Sequence, residues 1–243
     1  MGKGRSFVLP FIKKEKVAKD TYSFYFDRSG FSFDFLPGQY LRLTLPHASD
    51  ERGTSRYFTI ASSPHEKKHV MFTIRIYESS FKKTLYKLQP GDEGHFFGPM
   101  GWFLLPKDEK EEKVFIAGGI GVTPFHSLLH FLSEKKRISP ITLFASFPKR
   151  DEVLFYKEFE EISKKNKNIR VIYTLTQEAV VDPDWAGETG RVSHEFFKKY
   201  LSDIHKPVYY VVGSEETVAG IKAMLLELGI DEEKIQTEDF TGY

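Results

Sequence analysis

The chain has 243 residues, which suits one large domain or two of about 100–150 each. Its 35 Lys and Arg balance 34 Asp and Glu for a net charge of +1, so charge gives no reason to expect nucleic acid or an anionic membrane as partner. The absence of cysteine excludes disulfides, thiolate nucleophiles and cysteine-ligated iron–sulfur clusters within this stretch.

At the N-terminus the apolar run is short and interrupted by Pro10, too brief for a leader. No later run reaches the roughly 18 apolar residues of a membrane span, and a cytoplasmic location is expected. Residues 21–26 (TYSFYF) read as a strand rich in aromatics. Residues 39–45 alternate, with Leu41, Leu43 and Leu45 on one face and Tyr40, Arg42 and Thr44 on the other. Residues 71–77 alternate in the same way. Pro37-Gly38, Pro90-Gly91-Asp92 and Gly98-Pro99 punctuate these strands, and one helix is predicted from Phe81 to Leu88. Short strands at this spacing predict a small closed antiparallel barrel over residues 1–107.

The charged stretch KDEKEEK, residues 107–113, reads as a solvated loop or linker. Beyond it the rhythm becomes β-α-β. Strands are predicted at 114–117, 141–145, 169–175 and 208–212, with helices after 123, at 153–162, at 194–201 and at 218–228. Such alternation predicts a parallel sheet covered on both faces over residues 114–243.

Several stretches of the sequence could hold phosphate, two in the barrel half and one crevice in the sheet half. The turn GGIGVTP, residues 118–124, leaves a buried strand and opens a helix, where backbone N–H groups and the helix dipole can hold a pyrophosphate. A tight strand-to-helix turn would use the same glycines. Gly213 and Ser214 end a later strand of the same sheet and would share its crevice, or form an ordinary capped connection. In the barrel half, Ser79 or Ser80 would cap a short helix whose first amides, with Lys82, Lys83 and Thr84, form an anion site or a plain surface helix.

The stretch RYFTIAS, residues 56–62, is unusual for a barrel strand. Alternation sends Arg56 and Phe58 to one face and Tyr57 and Thr59 to the other. A flat heteroaromatic ligand with a phosphate tail would use all three chemistries: arginine on phosphate, a ring for stacking and a hydroxyl for a ring nitrogen. The plainer reading is a core aromatic beside a surface arginine. Phosphate sites in both halves point to two nucleotides.

In order along the chain, PGQYL (37–41), RYFTIASSP (56–64), LQPGD (88–92), GPMGWF (98–103), GGIGVTPF (118–125) and EDFTGY (238–243) resemble the ferredoxin–NADP reductase superfamily. The resemblance implies an FAD-binding barrel followed by an NAD(P)-binding sheet, with FMN the less favoured flavin and no metal. It implies that Arg56 contacts the flavin phosphate, that Phe58 (beside Tyr57) stacks on the isoalloxazine, and that Thr59 hydrogen-bonds near N5. Residues 73–76, including Thr73 and Arg75, would run beside the ribityl chain, and Lys82, Lys83 and Thr84 would meet the pyrophosphate. Gly118, Gly119, Ile120, Gly121, Thr123 and Pro124, with Gly213 and Ser214, would hold NADH or NADPH. Phe240 or Tyr243 would cover flavin or adenine, and Glu238 would assist proton traffic.

Two departures stand out. Val212 occupies a place where many relatives carry cysteine, and Thr176-Gln177 stands where NADPH-preferring relatives put Ser-Arg. Lys149 and Arg150 could supply a substitute cation, although the pattern leans towards NADH. The implied activity is hydride transfer from NAD(P)H to flavin and onward to an external acceptor, a small redox protein or small molecule. The alternatives are an NAD(P)H:free-flavin reductase and a non-catalytic nucleotide-sensing or electron-transfer subunit. Oligomeric state is left open.

Overall fold

The computed structural model describes all residues except 1–3, 47, 49, 78, 102–110, 135–138, 179–181 and 241–243. The chain divides into two compact units, one of Met1–Leu104 with Thr123–Phe131 and the other of Leu105–Val122 with Leu132–Tyr243.

Among the described residues the first unit holds six antiparallel strands: β1 (Arg5–Ala18), β2 (Thr21–Asp27), β3 (Tyr40–Thr44), β4 (Ser55–Thr59), β5 (His69–Arg75) and β6 (Glu93–Met100). Their spatial order is β4-β3-β6-β1-β2-β5. The two ends meet just past β4, where Ala61 N–H donates to Met71 O at 2.8 Å and Met71 N–H to Ser62 Oγ at 3.1 Å. That closes the sheet on itself. Alternate residues fill the interior, among them Phe7, Phe24, Phe26, Leu41, Leu43, Phe72 and Phe96. Phe72 and Phe96 stack at 5.6 Å between centroids, and Phe26 meets Phe96 edge-on at 5.0 Å. Aromatic burial at this density is the main support of the barrel.

The helix α1 (Ser80–Lys87) bridges β5 and β6, capped by Ser79, whose Oγ accepts from Lys82 N–H at 3.3 Å. A second helix, α2 (Thr123–Ser133), packs its first turns on the barrel. His126 Nδ1 lies 2.7 Å from Ala61 O, and Ser127 Oγ donates to Ser62 O at 2.7 Å.

The second unit is a parallel sheet. Its strands are β7 (Lys113–Gly118), β8 (Ile141–Phe147), β9 (Ile169–Leu175), β10 (Glu188–Thr189), β11 (Val208–Gly213) and β12 (Ile235–Asp239), in the order β10-β9-β8-β7-β11-β12. The helices α3 (Tyr156–Lys165), α4 (His194–Tyr200) and α5 (Glu215–Glu227) connect them. Strand order reverses at β7, so the crevice for a ligand lies at the carboxyl end of that strand. Buried strands such as β11, closed to solvent along its whole length, need the continuous apolar runs that the sequence carries.

Strands β10 and β12 are not among the expected strands, and three further elements differ from expectation. Lys113 belongs to no solvated loop: it starts β7, is buried, and donates through Nζ to Glu111 O at 2.7 Å. Residues 107–110 lie outside the described residues. Helix α3 begins at Tyr156 rather than Val153, because Arg150–Glu152 form a separate 3-10 turn and Phe155 adopts a left-handed φ of 58°. Strand β1 runs for 14 residues where only a short apolar run is expected, since Phe7, Leu9 and Phe11 keep strict alternation across Pro10.

Candidate active site

Strand β4 delivers its side chains as period-2 geometry requires, with Arg56 and Phe58 inward and Tyr57 outward. Arg56 is only 8% exposed. It is ion-paired with Asp50 and donates to the carbonyls of Arg52, Gly53 and Ser55 at 3.1, 3.2 and 2.7 Å. Phe58 corrects the expectation of a stacking platform. Its ring is buried against Phe72 and Phe81, at 6.2 and 6.1 Å, and belongs to the barrel core. The accessible ring of the strand is Tyr57, 59% exposed and set edge-on to Tyr40 at 5.7 Å. Thr59, partly exposed, ends the strand opposite Tyr40.

The start of α1 gathers positive charge. Lys82 is buried in the first turn with Nζ 4.6 Å from the centre of the Tyr77 ring. Burial, and then the nearby Arg52, Arg56 and Arg75, push its pKa down to about 8. Lys83 is exposed and Thr84 half-buried on the same turn. Asp50 enters this cluster from a distant loop. Its Oδ1 pairs with Arg56, while Oδ2 accepts from Ser79 Oγ at 3.2 Å and Phe81 N–H at 3.5 Å. The Arg56 hydrogen bond is the main reason that the Asp50 carboxyl is held at a pKa of about 2. Neither Asp50 nor Arg52 was an expected site residue; a carboxylate six positions before the strand arginine is the only trace in the sequence.

Thr73 is a second correction. Its hydroxyl is buried 2.8 Å from Ser23 Oγ, so it zips β5 to β2 instead of facing a ligand. Arg75, at the end of the same strand, has Nη1 3.5 Å from Tyr77 Oη and contributes to the field around Lys82.

In the second unit the Gly-rich turn forms where β7 ends. Gly119 has a φ of 54°, and the 3-10 turn Gly119–Val122 includes Ile120. A Cβ on Gly121 would lie 2.5 Å from Val212 O, and one on Gly118 2.9 Å from Thr217 Cγ2. Gly121 therefore passes so close to β11, and Gly118 so close to α5, that only hydrogen fits. Thr123 and Pro124 follow directly as the first residues of α2, both buried. Gly213 ends β11, and Ser214 caps α5 by accepting from Thr217 N–H at 3.3 Å. The sheet thus places two helix-opening turns, after β7 and after β11, side by side.

Strand β12 adds a carboxylate to this end of the sheet. Val212 pairs with Glu238 and Gly213 with Asp239, and Phe240 N–H donates to Gly213 O at 2.9 Å. Glu238 Oε2 is buried and has no hydrogen-bond partner among the described residues. Burial first, and Asp239 second, raise its pKa to about 7. Phe240 is half-buried, and Tyr243 lies outside the described residues.

Clustered cations in a barrel, and paired glycine turns at a sheet's switch point, suit two phosphate-bearing ligands. Residues 8–104 match the family described as oxidoreductase FAD-binding domain, and residues 115–223 that described as oxidoreductase NAD-binding domain. The chain belongs to the ferredoxin–NADP reductase superfamily and carries its FAD-binding and NAD-binding oxidoreductase domains. It is 28% identical over 203 residues to the F subunit of the Na(+)-translocating NADH-quinone reductase of Actinobacillus pleuropneumoniae, a match of 77% of this chain and 49% of that protein. The chain spans about half the length of the curated relatives it matches. Its fold is similar to the Amycolatopsis cytochrome P450 reductase GcoB, with a TM-score of 0.84, 21% identity and coverage of 98% of this chain and 71% of the other. It is also similar to ferredoxin-NADP+ reductase from Plasmodium falciparum, with a TM-score of 0.78, 20% identity and coverage of 97% and 96%.

The residues present fit both groups. Four cations converge beside the first turn of α1, the donor set that a pyrophosphate requires, and the Gly118–Gly121 turn has backbone in place of side chains where a second one would lie. No helix of the described residues is long and apolar enough to cross a membrane.

Proposed function

We propose that this chain is an electron-input reductase that oxidises a pyridine nucleotide and feeds a separate redox partner. Arg56, Arg75, Lys82, Lys83 and Thr84 hold the pyrophosphate of FAD, Tyr57 offers the ring on which the flavin lies, and Thr59 supplies a hydroxyl to it. Gly118, Gly119, Ile120 and Gly121, with Thr123, Pro124, Gly213 and Ser214, hold the pyridine nucleotide. Glu238, a carboxyl that is half-protonated near neutrality, holds or moves a proton, and Phe240 shields the same end of the sheet. Bound FAD supplies the chemistry of accepting hydride and releasing electrons.

The observation that carries this reading is the gathering of Lys82 and three arginines at the start of α1. Like charges this close repel one another, and a pyrophosphate held among them offsets the repulsion. A permanently held FAD brings two phosphates, whereas FMN brings one and a transient flavin substrate needs no such clamp. Because the chain has no cysteine, it carries no cysteine-ligated relay, and electrons leave for an acceptor outside this stretch. The curated relatives are named as the F subunit of an NADH-quinone reductase, which supports a redox protein or quinone-linked assembly as that acceptor.

The test is direct. Purified protein should carry about one FAD per chain and reduce ferricyanide with NAD(P)H. Protein that stays colourless after incubation with FAD would refute the proposal.

A further inference from the structure

We infer that the electron donor is NADH, and that the selection is made by Arg150 being held by Asp182 with Glu178 against its backbone. This rests on the reading that the Gly118–Gly121 turn holds the pyridine nucleotide pyrophosphate, and it deepens that reading to the choice of donor.

Three neighbouring strands end in line, with Gly118 of β7 opposite Ser146 of β8 and Ser146 opposite Thr174 of β9. A dinucleotide anchored at the end of β7 reaches its adenosine ribose towards the ends of the adjacent strands, where a carboxylate accepts from the 2′-hydroxyl or an arginine pairs with a 2′-phosphate. The segments leaving β8 and β9 stay zipped beyond the sheet: Thr176 N–H donates to Phe147 O, and Gln177 N–H to Pro148 O, both at 2.9 Å. That brings residues 148–152 alongside 176–178.

Arg150 is the guanidinium at this junction. Its Nη1 lies 2.5 Å from Asp182 Oδ2, and its own N–H donates to Glu178 Oε2 at 2.9 Å. Both partners of the ion pair are about half exposed, so a nucleotide can reach them. The remaining charges of the 148–152 segment are Lys149, Asp151 and Glu152. Asp182 and Glu178 thus bracket Arg150 at this edge, in a segment that also carries Lys149 and two further carboxylates. A 2′-phosphate would have to displace Asp182 from Arg150 and then stand beside Glu178, whereas a 2′-hydroxyl can donate to either carboxylate. An exposed ion pair is itself weak, so the discrimination comes from like-charge repulsion against the wrong ligand.

Calorimetric titration of the FAD-loaded protein with 5′-AMP and with adenosine 2′,5′-bisphosphate reads this junction without turnover. Anaerobic stopped-flow bleaching of the flavin by NADH and by NADPH reads it in the reaction. Wild-type protein should bind 5′-AMP more tightly and be reduced more efficiently by NADH. The double variant Glu178→Gln/Asp182→Asn should move both ratios towards the phosphorylated ligand by about tenfold or more, through Kd and not through the limiting bleaching rate. Adding Arg150→Ala to that variant should abolish the gain. Equal use of the two donors by wild type, or unchanged ratios in the double variant, would overturn the inference alone. Failure of either donor to bleach the flavin would instead remove the function on which it rests, and the inference with it.

Discussion

Arg56 and Asp50 are ion-paired beside the first turn of α1, and the same carboxylate accepts from Ser79 Oγ and Phe81 N–H. Asp50 therefore occupies the position of an anion at a helix N-terminus, among the cations assigned to the flavin pyrophosphate. Incoming phosphate must share or take over those donors. Removing the charge in Asp50→Asn should tighten FAD binding by about tenfold, whereas Arg56→Ala should weaken it by at least as much. Fluorescence titration of flavin-stripped protein checks both, and weaker binding by Asp50→Asn would contradict the competition. Because the carboxyl titrates near 2, the pair contributes its stability above the ordinary carboxylate range and loses it only as pH falls through about 2.

The aromatics of β4 separate by phenotype. Phe58→Ala removes a core ring and should lower stability by about 3–5 kcal/mol. Tyr57→Ala removes an exposed ring and should leave denaturant midpoints nearly unchanged while FAD dissociates faster. Chemical denaturation of the flavin-stripped proteins, paired with FAD off-rates, distinguishes the two effects.

Lys82 predicts a proton linkage. With its pKa depressed to about 8, part of the population is neutral in mildly alkaline buffer. A pyrophosphate favours the charged form, so FAD binding at pH 8.5–9 should take up protons, and affinity should fall as pH rises through about 8. Calorimetry in buffers of different ionisation enthalpy measures the uptake, which Lys82→Met should eliminate.

The pKa of Glu238 is shifted the other way. Its folded pKa of about 7 lies above the unfolded value, so the native state binds the proton more tightly and stability declines as pH rises from about 4.5 to 7. Glu238→Gln should flatten that decline and gain roughly 1–3 kcal/mol at pH 8. If Glu238 carries a proton in turnover, the same variant should lose the inflection near pH 7 in the rate profile. Urea unfolding and steady-state rates across pH 5–9 test the two statements separately.

The α/β half was legible because each buried strand is a short continuous apolar run set off by Gly, Pro or charge; residues 169–175 begin and end as the sequence indicates. The barrel was less so. Turn signals mislead at β6, where Gly98-Pro99 lies inside the strand, and at β1, where a proline sits on the solvent face of a strand that continues past it. At the site, alternation gives the faces of β4 correctly but does not say which face is the core. The pairing of Phe58 opposite the fully buried Leu41 decides it. Asp50 was invisible for another reason: its partners Ser79 and Phe81 lie about thirty residues away, and only tertiary folding brings them together.

The parallel sheet ends in β10, which is two residues long, and in β12, which carries Glu238 and Asp239. Among the described residues neither border offers the long, flat, uncharged template on which another molecule could extend a ladder. This half of the chain should therefore resist templated aggregation even when concentrated, and truncating the acidic final strand would bare the apolar length of β11 to such growth.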